Sequence, residues 1–180
     1  MCRRSVAPYR MDRRDPPPEL AGVRDAPEIA AMSRDLIETG LGWEYQSGRI
    51  ARMIADADTM AIVRRSERGI AGFAIMTFGD ERAHLVLLAV RVSHQRRGIA
   101  RRMLARLEES ARTAGIASMH VELRIDNAPA HALYRAAGYV ETLRIPGYYR
   151  GRATAVRMMR LLYAPGLVVS AWIPPAFDAR

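Results

Sequence analysis

Three observations predict a mixed α/β domain built on a mostly antiparallel sheet of about seven strands with helices on both faces. Apolar residues recur near every third to fourth position through residues 25–56, and from Thr59 the pattern changes to extended runs rich in β-branched and aromatic residues. Two short polar turns, Arg64 to Gly69 and Gly79 to Arg82, separate those runs closely enough to form consecutive hairpins. Helical and extended stretches then alternate twice before two final strands. The order that results is β-α-α-β-β-β-α-β-α-β-β.

Residues 1–18 alternate Arg, Asp and Pro without hydrophobic periodicity and read as a disordered arm; the folded domain is expected over 19–163, with 164–180 as a tail carrying Leu167, Val168, Val169 and Trp172. A short strand is expected from Leu20 to Val23. Asp25 then stands as N-cap with Glu28 three residues on, and Ile29, Met32, Leu36 and Ile37 continue a helical stripe that Gly40 stops. Ile50, Met53 and Ile54 mark a shorter helix ending near Asp56, and Met60 to Val63 with Ile70 to Phe78 form the first hairpin. The apolar run Leu85 to Val90 is a central strand, and Gln95 to Ala100 opens a long amphipathic helix. Ser118 to Ile125 is the next strand, Ala128 to Ala137 a helix, and Tyr139 to Ile145 and Thr154 to Leu162 the last two strands.

At 180 residues and 49% hydrophobic, the chain can bury one core. Cys2 is the single cysteine, so no internal disulfide framework exists and a reducing cytoplasm is the expected compartment. No window approaches the ~18 continuous apolar residues of a membrane span, and Pro16-Pro17-Pro18 stands where a signal peptide needs an apolar run, so neither membrane association nor export is expected. The net charge of +9 comes from 28 basic residues, all of them arginine. They are scattered rather than gathered in an aromatic-interleaved stripe, which argues against a nucleic-acid partner. Their summed field still steers acidic or phosphorylated ligands inward.

Gly98 lies where a turn passes into a helix, so backbone N–H groups can approach a bulky anion beside the helix N-terminus, and Arg96, Arg97, Arg101 and Arg102 surround it. A pyrophosphate fits such a nest; taken alone, the same residues also describe a capped helix with solvated arginines. In the strand that follows, His120, Glu122 and Arg124 alternate with Met119, Val121, Leu123 and Ile125 and so share one face, which by itself could simply be wet. Tyr134, among Ala130, Leu133 and Ala137, suits a core aromatic, and Asn127 is a good helix N-cap. His84, His94, His120 and His131 show no metal-ligand spacing, so no metal is expected.

Gln95-Arg96-Arg97-Gly98-Ile99-Ala100 and the later Asn127, Ala130, Leu133, Tyr134, Gly138 and Tyr139 together resemble the two signatures of the GCN5-related N-acetyltransferases, in the right order and at family-like spacing. The resemblance covers roughly Val23 to Leu162 and is strongest to the bacterial branch that acetylates the N-terminal alanine of a ribosomal protein, through Val121-Glu122-Leu123-Arg124 and the Tyr148-Tyr149 pair. It implies acetyl-CoA as co-substrate and a central strand whose main chain at Leu88, Ala89 and Val90 pairs with the pantetheine arm. It further implies that Gln95, Arg96, Arg97, Gly98, Ile99, Ala100 and Arg101 cradle the pyrophosphate, and that Asn127 is a cofactor contact. Glu122 would be the general base, Tyr134 the acid that protonates the departing thiolate, and Tyr148 and Tyr149, on the loop between the last two strands, an acceptor wall. The acceptor is then a primary amine, a protein or peptide N-terminus before a small molecule such as an antibiotic, polyamine or amino acid; a non-catalytic acetyl-CoA-binding module is the remaining alternative. Cys2 is the only thiol and lies in the arm, so transfer is expected to be direct. The protein is expected to be a monomer or homodimer.

Overall fold

The computed structural model describes residues 16–149, 151 and 153–163. The arm through Asp15, with Cys2, and the tail from Ala164 lie outside them. Among the described residues no helix is long and apolar enough to cross a membrane.

Seven strands form one sheet; numbered along the chain they lie in the order 1-2-3-4-5-7-6, the fourth and fifth being its parallel neighbours. β1 (Glu19–Leu20) leads through a 3-10 turn at Val23–Asp25 to α1 (Ala26–Leu36) and α2 (Ser47–Ala55). The hairpin β2 (Thr59–Ser66) and β3 (Gly69–Phe78) follows, then β4 (Arg82–Val90), α3 (Ile99–Thr113), β5 (Ser118–Arg124), α4 (Ala128–Ala136), β6 (Val140–Tyr149) and β7 (Ala153–Leu161).

Two cores follow from the two faces of this sheet. α3 repeats apolar side chains on one stripe, and Ile99, Met103, Leu104, Leu107 and Ala111 are all buried against Leu85, Val121, Leu123 and Met158, with Tyr134 of α4 in the same cluster. Burying each such large side chain stabilises the fold by roughly 1.5–3 kcal/mol. On the opposite face Ile29, Ala30 and Met32 of α1 and Ile50 of α2 pack on Val63, Phe73, Ile75, Leu87 and Ala89. Because this second cluster draws its strand residues from β2, β3 and β4, the helical cover on that face stops at β4.

β4 explains its own unbroken apolar run. Its register against β3 shifts where Ile75 pairs with Leu87 but Met76 pairs with Leu85, making Val86 a bulge residue. Alternation breaks there, and Leu85, Leu88 and Val90 join one core while Val86, Leu87 and Ala89 join the other. Gly72 of β3 is required at the far end of the strand, since a Cβ there would stand 3.1 Å from the Ala89 carbonyl oxygen, 3.1 Å from Val90 Cγ2 and 3.3 Å from Ile99 Cγ2.

Two local expectations are corrected. Asp25 does not cap α1 with its side chain; the carboxylate accepts from the Gly22 N–H at 2.8 Å and from two nitrogens of Arg65 at 3.0 and 3.1 Å. A guanidinium from the neighbouring strand offers charge-assisted bonds that a helix N–H cannot match. Glu28 likewise leaves its own helix end and accepts from the Ile70 N–H at 2.9 Å and from Arg91 at 2.7 Å. The second correction concerns β6, which continues through Pro146 and Gly147 to Tyr149, its register shifting between Ile145 and Tyr149. β6 is an edge strand, so a proline without an N–H is tolerated there. Tyr148 and Tyr149 therefore end a strand instead of occupying a loop.

Gly72→Val forces β3, β4 and α3 apart at their tightest approach and is expected to lower the free energy of unfolding by about 1–3 kcal/mol, the usual penalty of overpacking. Urea denaturation of the variant beside the unsubstituted protein measures it.

Candidate active site

β4 and β5 pair from Arg82 with Ser118 to Leu85 with Val121 and no further. Beyond that point β5 pairs only with β7, through Glu122 with Arg157 and Arg124 with Ala155, while Leu88, Ala89 and Val90 pair only with β3. The strands thus part directly after Leu85, at the Val86 bulge. Main-chain groups of β4 that face β5 along this opening have no strand partner, which is the condition an extended ligand carrying amides would meet.

The turn into α3 sits at the end of the same strand. Gly98 has φ 76°, and Arg96 has φ 62°, in the left-handed region that favours glycine. The first intrahelical bond runs from the Arg102 N–H to the Gly98 carbonyl at 3.0 Å, so the N–H groups of Ile99, Ala100 and Arg101 form the open end of the helix. Arg96, Arg97 and Arg101 are exposed around it, Ile99 is buried, and the Arg102 guanidinium donates to the Arg97 carbonyl at 3.1 Å. Gln95 turns back and donates its side-chain amide to the Val90 carbonyl at 3.0 Å, tying the turn to the strand. The open helix end, the arginines and a backbone without a Cβ at Gly98 suit a pyrophosphate.

A cavity of about 370 Å³ opens where the strands part. Ile37, Glu38, Leu41, Glu44 and Tyr45 of the α1–α2 connection form one wall; His84, Val86 and Leu87 of β4, Glu122 of β5 and Tyr148 of β6 form the others. Glu38 holds the connection in shape. Its buried carboxylate accepts from the Ser33 hydroxyl at 2.8 Å, from the Glu44 N–H, and from the Tyr45 N–H at 3.2 Å.

Glu122 and Tyr148, singled out from the sequence, meet here, and the Tyr148 hydroxyl donates to Glu122 Oε2. Glu122 Oε1 accepts from Arg157 Nε at 2.9 Å and Nη2 at 2.6 Å. Burial pushes the Glu122 carboxyl up, but the Tyr148 hydroxyl and the Arg157 guanidinium outweigh it and hold the group below the ordinary carboxylate value. Tyr134 does not line the cavity. It is buried on the α3/α4 side of the sheet with its ring edge-on to Tyr139, centroids 5.4 Å apart, and burial pushes its phenol well above the ordinary value. Asn127 caps α4, its side-chain oxygen accepting from the Ala130 N–H at 3.1 Å. Tyr149 ends β6 opposite Ala153. Among the described residues no cluster of three or more His, Cys, Asp or Glu side chains could hold a metal ion.

Periodicity did not single out Arg157, Glu38 or His84. An arginine between Val156 and Met158 on an otherwise apolar strand was the available signal for the first; the others depend on which loop and which strand lie opposite Glu122, and a single sequence does not carry that pairing.

The ion pair makes a pH-dependent prediction. A carboxylate with a folded-state pKa below its unfolded value contributes stability above the unfolded pKa and loses it as the pH falls through the folded one. Arg157→Met is therefore expected to cost about 1 kcal/mol at pH 7, with the gap to the unsubstituted protein closing as Glu122 becomes protonated in both. Denaturation midpoints across an acid pH series test this.

The chain is similar to known proteins. Residues 28–139 match the model of the acetyltransferase (GNAT) family. The [ribosomal protein bS18]-alanine N-acetyltransferase of Salmonella typhimurium is 36% identical over 80 residues, 44% of this chain and 54% of that protein, so the chain spans about half the length of this relative. The N-alpha-acetyltransferase of Saccharolobus solfataricus is 28% identical over 120 residues, 66% of this chain and 72% of its own length. The crystal structure of the ribosomal-protein-S18-alanine N-acetyltransferase from Escherichia coli superposes with a TM-score of 0.72 at 24% identity, covering 84% of this chain and 96% of that one, a likeness of fold. The family model runs unbroken from α1 across the parted strands to the end of α4, and with that the chain belongs to the acetyltransferase (GNAT) family.

Proposed function

We propose that the protein is an acetyl-CoA-dependent N-acetyltransferase that acts directly on the α-amine of a protein or peptide N-terminus. The carrying observation is the cavity at the parting of β4 and β5, with the Glu122 carboxylate among its walls. The pyrophosphate of acetyl-CoA suits the Gln95–Ala100 turn, and the pantetheine amides suit the edge of β4 from Leu88 to Val90 that faces away from β3 and pairs with no strand. A thioester lying in the opening presents its carbonyl to the cavity and its sulfur to the side where Tyr134 is buried. Acetyl-CoA supplies an activated acyl group, and the rest belongs to the chain's own residues. Glu122, with Glu38 and Glu44, draws a cationic amine into the cavity. Tyr134, kept protonated by burial, gives its proton to the departing thiolate. Tyr148 fixes the Glu122 carboxylate and presents a wall to the first residue of the acceptor. The relatives named above, which act on N-terminal amines by their descriptions, favour the same acceptor.

Proton affinity favours an α-amine further. Its reference pKa is about 7.7–8.0 against about 10.4 for a lysine side chain, so reaching the neutral nucleophile near pH 7 costs about 3.5 kcal/mol less. Short peptides with a small N-terminal residue are expected to be acetylated faster than the same peptides with a blocked N-terminus and a free lysine. Thiol release from acetyl-CoA reports the rates. Equal rates, or activity confined to a small amine such as spermidine, replace the N-terminal acceptor by a small molecule.

Tyr134→Phe keeps the ring and removes the hydroxyl. Turnover is expected to fall by about 10²- to 10⁴-fold with the thermal midpoint unchanged; normal turnover returns Tyr134 to a packing role.

A further inference from the structure

We infer that Tyr139 and Glu108 are positioning residues for Tyr134: Tyr139 holds the Tyr134 ring, and Glu108 anchors Tyr139 to α3, the helix whose first turn receives the pyrophosphate. This rests on the acetyl-transfer reading above. The local sequence brings Tyr139 onto Tyr134. α4 stops at Gly138, left-handed at φ 88°, whose N–H donates to the Arg135 carbonyl at 3.0 Å while the Tyr139 N–H donates to the Tyr134 carbonyl at 2.9 Å. A helix stop of this kind folds the residue after the glycine back against the last turn. The two rings accordingly meet edge to face, centroids 5.4 Å apart and planes at 61°.

An apolar contact would be enough to end the helix, yet this one rests on a buried charge. Glu108 of α3 is 4% exposed, and its Oε2 accepts from Arg160 Nη1 at 2.7 Å and from Arg112 Nη2 at 3.5 Å. Arg160 comes from β7 and passes beneath the turn, since a Cβ on Gly138 would stand 3.6 Å from its Nε. Among the described residues Glu108 Oε1 and the hydroxyl of Tyr139, a residue 3% exposed, are both buried without a hydrogen-bond partner. Burial first, and then the Glu108 charge, push the Tyr139 phenol above its ordinary value, as a carboxylate close to the hydroxyl does. A bond between these two groups satisfies both. Buried polar groups are costly when unpaired, and a fully paired network selects one arrangement of its surroundings.

Tyr134 is the residue that gains from such support. It is the one buried residue of α4, a helix of nine residues, and its hydroxyl has to stay within hydrogen-bond reach of the thioester sulfur. Tyr139 and Glu108 line no part of the cavity and act only through the ring they hold. Glu108 lies about three turns along α3 from Gly98. One rigid helix therefore sets the pyrophosphate at its start and, through Glu108 and Tyr139, the acid farther along, so that the spacing between them is fixed by the same backbone.

The test is a double-mutant cycle on kcat, with a peptide bearing N-terminal alanine at saturating acetyl-CoA. Tyr139→Leu is expected to lower kcat by about 10²-fold, the scale of a misplacement of about 1 Å, with the KM for acetyl-CoA unchanged. Made in Tyr134→Phe, the same change is expected to leave the residual kcat within about twofold, because no hydroxyl remains to be positioned. Glu108→Leu is expected to lower kcat as well, and Glu108→Gln, which can still bond to both Tyr139 and Arg160, to regain most of it. A kcat within about twofold for Tyr139→Leu alone overturns the inference, and so does an equal loss in both backgrounds, which makes the role one of packing. A second measurement needs neither donor nor acceptor: NMR of ring-labelled tyrosine reports how fast the Tyr134 ring flips, and Tyr139→Leu and Glu108→Leu are both expected to speed it. An unchanged flip rate in folded Glu108→Leu overturns the inference even if Tyr139→Leu fails to fold. An unsubstituted protein that turns over no amine overturns instead the acetyl-transfer reading, and the inference with it, whatever the ring spectra show.

Discussion

The end of pairing between β4 and β5, at Leu85 and Val121, sets the position of everything else in the site. A parallel pair leaves neither strand a short route to a new partner, so each is held away from the other by what lies on its far side. β4 is fixed by β3, where Gly72 lets Val90 and Ile99 approach, and β5 by β7, through an antiparallel ladder that includes the Glu122 and Arg157 pair. The opening between them exposes main-chain groups that a closed sheet would satisfy internally. Such groups are costly without a partner, and a ligand with amides at strand-like spacing is the natural complement.

Charge is sorted around that opening against the grain of the composition. A chain of net charge +9 gathers Glu38, Glu44 and Glu122 about one cavity and exposes Arg96, Arg97 and Arg101 at the nearby helix start. The field of such an arrangement draws an anionic ligand and a cationic one to different ends of one gap. The carboxylates are held by different means: Glu38 by neutral donors of α1 and its own loop, Glu122 by a guanidinium from β7.

Much of the architecture was legible because the two periodicities differ so plainly. The buried stripe of α3 and the alternation of β5 appear in the structure as the sequence implied, and the Gln95–Ala100 turn does open a helix behind a left-handed Gly98. What was hidden depended on contacts distant in sequence. Arg65 lies 40 positions from Asp25, and it drew that side chain off the helix it was expected to cap. Arg157 lies 35 positions from Glu122 and changes it from an unencumbered base into a held anion. The length of β6 was hidden for another reason, because Pro146 and Gly147 signal a turn locally and only the edge position of the strand makes them acceptable within it.

The Val86 bulge carries a further consequence for how such a protein can diverge. Because the bulge turns adjacent residues to one face, the residues of β4 divide between two neighbours: His84, Val86 and Leu87 line the cavity, while Leu85, Leu88 and Val90 serve the core beneath α3. Inheritable change at the cavity-facing positions of β4 can therefore remodel that wall while the residues beneath α3 stay as they were. A lineage could exchange one amine for another by drift over a few positions, keeping its acyl donor throughout.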